Sequence, residues 1–478
     1  MFRKISYGLV SFILIGLCII LFRTVTFHSK QIKITKEPVQ LPISERSISN
    51  LSKAIQFPSI SYDDAQKKDS SAFLGLIDFI HEAYPQIRLN LQREVINDLS
   101  ILYTWKGKDT TLPPAILTGH LDVVPVEDNW KYPPFSGLVK NDTIYGRGAI
   151  DDKGSIISIL ESIEILLSEG YQPPRTLILA FGHDEEIRGR DGAKAMATLL
   201  HNRGVRAEFV LDEGGMIVDG IVPGLEKPVA LIGTAEKGYV TVELICTIEG
   251  GHSSMPKYET AIDVLGKAVD RLMERQFEPH ISLPMEDFMN HIGPEMPFIS
   301  RMAFANRGLF QSLILNTYTK SHQGNAVVRT TTAPTIFQSG TKENVIPSRA
   351  RAVVNFRTLP GVNSQDVINH IENVIGDQRI KISFSGDVVE ASPVSPIDSP
   401  GFAHLRNTIA RQFPDAIISP YLVTGGTDAK EYAVLTENIY RFLPFREMQG
   451  FHGKDERLSI RGFNEAIQFY YTFIKHLP

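Results

Sequence analysis

The stretch PPAILTGHLDVVPVEDNW, residues 113–130, runs through apolar residues to a glycine, then sets a histidine and an aspartate two positions apart. A strand has a period of two, so His120 and Asp122 project from one face at the end of a buried strand. There the aspartate can accept the proton of one ring nitrogen and leave the other nitrogen free, the usual surroundings of a metal-binding histidine. A His–Asp pair alone is more often plain structure, so this reading requires further ligands elsewhere in the chain.

On either side of that strand, helical and strand patterns alternate from about residue 73 to 232. AFLGLIDFIHEAY reads as a helix, SIISILESIEILLSEG as a helix ended by Gly170, TLILAFGHDEE as a strand, GAKAMATLLHNRG as a helix and AEFVLDEGG as a strand. Such alternation predicts an α/β layer with a largely parallel sheet. Ligands in such sheets bind beyond the carboxyl ends of the strands. From about residue 236 the order becomes βαββαβ, a ferredoxin-like unit, with about 50 extra residues, apolar near 284–315, between its first helix and second strand. After about 390 the chain rejoins the first layer. The expected organisation is residues 45–235 and 389–478 as one catalytic domain, with 236–388 inserted as a lid or dimerisation domain.

At 478 residues, 43% hydrophobic and 22% charged, the composition is that of a globular protein. A net charge of −5 with interleaved signs gives no reason to expect nucleic acid. The two cysteines, Cys18 and Cys246, predict no disulfide framework. At the N-terminus, SYGLVSFILIGLCIILF (6–22) carries no charge and is followed by no small-residue cleavage site. Residues 1–30 are therefore expected to be an uncleaved single-pass membrane anchor, with secretion after signal cleavage as the alternative. Its orientation stays open, and residues 24–45 read as a polar tether.

Four further stretches place candidate ligands at strand ends or in the following loops: Asp151 and Asp152 in GRGAIDDKGS; Asp184, Glu185 and Glu186 in GHDEE; Asp212 and Glu213 in LDEGG; and His452 in GFHGKDERL. Singly each has an ordinary reading, such as a helix cap for Asp151–Asp152. Jointly they fall where an α/β sheet puts its ligand, and two histidines with several carboxylates suit Zn²⁺. Three carboxylate charges, two divalent cations and one hydroxide sum to zero, so two metals fit better than one.

With these motifs the chain resembles the co-catalytic zinc metallopeptidases that include aminoacylase, carboxypeptidase S and the ArgE/DapE deacylases. GHLDVVP, GRGAIDDKG, DEE, LDEGG, GGHSS, NVIP, NFR, GGTDAK and FHGKDERL occur in the family's order over residues 45–475. The carboxypeptidase S branch, which includes N-fatty-acyl-amino-acid synthase/hydrolase, is the most similar. The resemblance implies two zinc ions per subunit, His120 as a ligand oriented by Asp122, and Asp151 bridging the metals with a cis peptide to Asp152. It further implies Glu185 as general base, Glu186 as a ligand and His452 as ligand to the second metal. Either Asp212 or Glu213 would complete the set; adjacent strand residues point oppositely, and Glu213 is preferred. His252 of GGHSS would support the oxyanion, and Asn344, Arg357, Gly425, Gly426 and Thr427 would hold a substrate carboxylate.

The implied reaction is hydrolysis of the amide bond to a C-terminal amino acid, with a small peptide or an N-acyl amino acid as substrate. N-fatty-acyl-amino-acid hydrolysis or synthesis is the alternative, and a silent binding protein on the same fold a lesser one. In some relatives His252 comes from a second subunit, so a homodimer stays open. The extra segment near 284–315 would either line an acyl channel or touch a membrane, or simply cover the small sheet.

Overall fold

The computed structural model describes residues 2–220, 222 and 224–478. Its largest layer is a nine-stranded mixed sheet. At its centre Leu177–Gly182, Ala115–His120 and Phe209–Asp212 run parallel, and Ile439–Arg441 continues parallel beyond Phe209–Asp212. The three central strands are fully buried along their lengths, which is why they read as continuous apolar runs rather than alternating ones. Parallel alignment brings their carboxyl ends, and so His120, the 183–186 turn and Asp212–Glu213, to one edge.

One face of this sheet is covered by the helices Lys153–Ser168, Pro400–Gln412 and Ile460–Lys475. The first is buried on nearly every side, polar residues included. Its hydroxyls therefore turn back on the helix, Ser158 donating to Gly154 O and Ser162 to Ser158 O. Glu161 accepts from Asn50 and Tyr84, and Glu164 caps the N-terminal amides of Gln86 and Ile87. The opposite face is covered by Ala193–Asn202 and the 3₁₀ segment Asp428–Val434.

A separate four-stranded antiparallel sheet has the order Thr331–Ser339, Arg349–Arg357, Val240–Thr247, Ile380–Phe384. The helices Ala261–Glu274 and Ser364–Ile375 close its own apolar core. Both start in a reciprocal capping box, Thr260 with Asp263 and Asn363 with Asp366. The residues between its first helix and second strand form four short helices: Leu283–Ile292, Phe298–Ala305, Arg307–Tyr318 and His322–Val328. They do not cover the small sheet. They pack with Val218, Val229, Leu231 and Ile417, at the far edge of the large sheet.

The expected membrane anchor, and the single-pass localisation built on it, are corrected here. The apolar run does form a helix, Phe2–Val25. Among the described residues, however, no helix is long and apolar enough to cross a membrane. A span needs about 20 predominantly apolar residues, and one side of the last turns of this helix meets the body of the protein. Thr24 is fully buried, and Asn306 Nδ2 donates to Ile20 O at 3.2 Å and to Thr24 Oγ1 at 3.3 Å. Phe27 fills the space beside Gly293, where a Cβ would meet its ring at 2.5 Å. The segment after it is no free tether either. Gln31 exchanges hydrogen bonds with the backbone of Ile418, and Ile32, Ile34, Val39 and Leu41 pack on the main core.

Candidate metal centre and active site

His120, the last residue of its strand, is 1% exposed and sits between carboxylates. Its Nε2 lies 2.8 Å from Asp151 Oδ1 and 3.4 Å from Glu213 Oε1. Its Nδ1 faces Asp122, 3.0 Å from the carbonyl oxygen and 3.3 Å from Oδ1. The Asp122 carboxylate is itself fixed by the turn after the next strand, accepting from Glu185 N at 3.2 Å and Glu186 N at 3.1 Å. One aspartate thus ties the histidine to the DEE turn. Gly119 is required by the same packing, since a Cβ there would stand 2.5 Å from Asp152 Oδ2, the acceptor of the His120 N–H.

Asp151 precedes the helix Lys153–Ser168 and is joined to Asp152 by a cis peptide bond. Its two oxygens face two histidines: Oδ1 meets His120, and Oδ2 lies 2.7 Å from His452 Nε2. His452 is also 3.6 Å from Glu186 Oε1, with the Phe451 ring stacked on it. Among the described residues, two groups have ligand atoms within 4.8 Å of one another and could hold a metal ion: His120, Asp151 and Glu186, and His120, Glu185 and Glu213. Of the adjacent pair, Glu213 reaches His120. Asp212 turns the other way, toward Thr427, Glu236 and Arg441.

The electrostatics favour a cation. Burial and the neighbouring carboxylates push Glu213 up to about 8, and burial holds Glu185, Asp152 and Asp428 well above the usual carboxylate range. The Asp151 carboxylate, and then that of Glu186, hold His452 up to about 10. For His120, burial works against the proton, but Asp122, Asp151 and Glu213 together outweigh it. Glu186 Oε1, Glu213 Oε2 and Asp152 Oδ1 are buried without a hydrogen-bond partner. Buried oxygens of that kind are costly unless paired or coordinated to metal. The residues present fit a metal centre.

The cluster opens into a cavity of about 1340 Å³. The same cavity is lined by Arg357, Gly425, Gly426 and Thr427. Arg357 lies 4.5 Å above the Tyr239 ring. Away from the ligands the wall becomes apolar, with Met285, Phe288, Phe304, Leu313 and Ile314 from the four short helices. His252 and Asn344 are not brought to this site. They stand on the exposed ribbon Gly251–His252/Val345–Ile346, where His252 Nδ1 engages Ser254 and Asn344 O accepts from Ser253 N.

Three supporting residues escaped the sequence reading. Glu456 accepts from Gly148, Ile150 and Asp151 N–H groups and pairs with Arg147 at 2.6 Å, holding the turn that presents Asp151. Its only signal was its place four residues after His452. Asp428 is buried under the DEE turn, where a Cβ on Gly189 would stand 2.0 Å from its Oδ1. Glu236 gathers Thr427 N–H, the Thr427 hydroxyl and the Arg441 guanidinium on one oxygen, fixing the Gly-Gly-Thr loop. Asp428 falls within the motif GGTDAK, whereas no local pattern marks Glu236.

Residues 116–476 match the family described as Peptidase family M20/M25/M40. Among curated proteins, the chain is 40% identical to a probable carboxypeptidase S-like protein of Dictyostelium discoideum, covering 97% of this chain and 92% of that one. It is 36% identical to an N-fatty-acyl-amino acid synthase/hydrolase of Xenopus tropicalis, covering 99% and 96%. Among solved structures, an M20 family metallo-carboxypeptidase of Sulfolobus solfataricus superposes with a TM-score of 0.63 at 18% identity, over 90% of this chain and 99% of that one. With a cluster of histidines and carboxylates at its strand ends and matches along nearly its whole length, the chain belongs to peptidase family M20/M25/M40.

Proposed function

We propose that this amide-hydrolysing member of the metallopeptidase family acts on N-acyl amino acids bearing a long apolar acyl chain. The observation that supports it is the cavity: one continuous space joins the metal ligands to an apolar wall built by the four short helices. Each buried methylene contributes about 0.8 kcal/mol, so a chain of a dozen or more carbons would find a large part of its affinity there.

His120, Asp151, Glu186, Glu213 and His452 would hold two divalent ions, zinc by donor type. When bound, such ions polarise the scissile carbonyl and lower the pKa of water toward ~7. Glu185 takes a proton from the attacking water and returns it to the leaving nitrogen, so one carboxylate serves both halves of the reaction. Its burial, which favours the protonated form, suits the second half. Asp122 holds the His120 ring and the Glu185 backbone together. Arg357 and the Gly425–Gly426–Thr427 loop receive the substrate carboxylate. His252 and Asn344 share one ribbon, so a single movement of the small sheet, or one neighbouring copy, would bring both to the bond.

Cleavage of C-terminal residues from peptides is the second reading, favoured by the similarity to the carboxypeptidase S-like protein. Hydrolysis of N-oleoyl amino acids against blocked dipeptides by the purified protein separates the two. The acyl reading expects a preference for the oleoyl series that grows with chain length, and a flat chain-length profile would sink it.

A further inference from the structure

Among the described residues four lysine and arginine side chains line the cavity, and they are not equivalent. Arg188 is paired with Asp387 at 2.6 Å. Lys430 is half-buried and donates to Thr427 O. Arg357 is stacked on Tyr239, and Lys237 is 3% exposed. Lys237 follows directly on the strand Val229–Glu236, at the point where the chain leaves the large sheet for the small one. Its Nζ donates to Ala326 O and Arg329 O, both at 2.8 Å, closing the C-terminal end of the helix His322–Val328. Favourable as a cation is at a helix C-terminus, these partners are neutral.

An ammonium carries three N–H donors, and two are accounted for by those carbonyls. Among the described residues no carboxylate contributes to its charge state. Burial, and then the like charge of Arg357, pull Lys237 down to about 7. Arg357 is likewise lowered by burial, with only Tyr239 acting the other way. Two secluded cations on one cavity wall, close enough to repel and without an anion between them, are costly unless a ligand brings the anion.

We propose that Lys237, with Arg357, receives the free carboxylate of the substrate and is a specificity-determining residue for it. The same side chain holds the helix that contributes Gln323, Gly324 and Val327 to the cavity wall. It therefore joins the carboxylate end of the substrate site to the acyl end. An anion arriving there keeps the ammonium charged, which strengthens its two hydrogen bonds to the helix end.

The test compares N-oleoylglycine with its carboxamide, and a blocked dipeptide with its C-terminal amide, in wild type, Lys237→Gln and Lys237→Arg. Glutamine keeps donors for the two carbonyls and removes the charge. Lys237→Met repeats the comparison should the glutamine variant not fold. Lys237→Gln is expected to lose about 10- to 100-fold in kcat/KM on the carboxylate substrates, chiefly through KM, and less than about threefold on the amides. Lys237→Arg is expected to recover most of the discrimination. Equal losses on acid and amide would reduce Lys237 to a strut for the helix and overturn the proposal, as would no loss at all. The inference rests on the proposed reaction for the acyl group only. If the wild type turned over dipeptides but no oleoyl substrate, the acyl reading would fail while the acid-to-amide ratio still judged Lys237.

Discussion

The two ends of the cavity differ in how their residues are held. At the metal-ligand end, His120, Asp151, Glu186 and Glu213 sit on strand ends and short turns, and backbone N–H groups fix the residues around them: Glu185 and Glu186 on Asp122, and Gly148, Ile150 and Asp151 on Glu456. At the other end, Met285, Phe288, Phe304 and Ile314 come from short helices held mainly by apolar packing. The first arrangement is directional and tolerates little change; the second is volumetric and can be reshaped. On the proposed reading, chemistry belongs to the directional end and selection of the acyl group to the adaptable one.

The sharpest way to break that division is Glu185→Gln. It removes the proton-transfer group without touching the proposed ligands, and kcat is expected to fall by about 10²–10⁴ with metal content and melting temperature unchanged. A variant that lost its metal would instead move Glu185 into the ligand set. Metal removal comes next. Chelation should abolish turnover and lower the melting temperature, while divalent ion at a hundredfold excess over its Kd should restore about 2.7 kcal/mol of stability for each ion bound. His120→Ala should show neither response in a calorimetric scan.

At the apolar end, Ala303→Trp places a large ring in the cavity beside Phe304. Losing the contacts of two or so methylenes would raise KM for an oleoyl substrate by about tenfold, leaving an acetyl substrate unaffected. Equal effects on both substrates would show that the acyl chain lies elsewhere.

The smallest effect concerns pH. Burial pulls His404, in the main core, and His291, in the apolar helices, down to about 4. Their unfolded value is near 6.5, so between about pH 6.5 and 4 the unfolded chain binds more protons. Their neutral burial is fully compatible with folding above about pH 6.5, and stability is lost as the pH falls toward 4, on the order of 1–3 kcal/mol for each. Urea unfolding of His404→Gln and His291→Gln should give a flatter pH profile than the wild type. If only His404→Gln flattens it, the apolar helices open separately from the core.

The strand PAILTGH and the turns holding Asp151, Glu186 and Glu213 were legible because each combines an apolar run with polar residues at its end, a pattern local in sequence. Between Asp212 and Glu213, strand alternation showed that only one could face the cluster but not which, since that depends on the absolute facing of the strand. Glu236, Asp428 and Glu456 were missed because their role is defined by what they touch: Thr427 and Arg441, the turn at Gly189, and the amides around Asp151. The N-terminal run misled for a related reason. Hydropathy scores a segment by itself and does not register that Asn306 meets Ile20 and Thr24 at the end of the helix.

Sequence alone determined the alternating α/β layer, the candidate donor set at its strand ends and the order of the motifs, because helix and strand periods and the donor set of a side chain are properties of neighbouring residues. Only the tertiary structure decided that Glu213 faces His120, that His252 and Asn344 stand outside the cavity, and that the helices after residue 282 wall that cavity rather than cover the small sheet. Those facts depend on contacts between segments distant in the chain, and burial free energy depends on the area removed from water rather than on where in the sequence the covering residues lie.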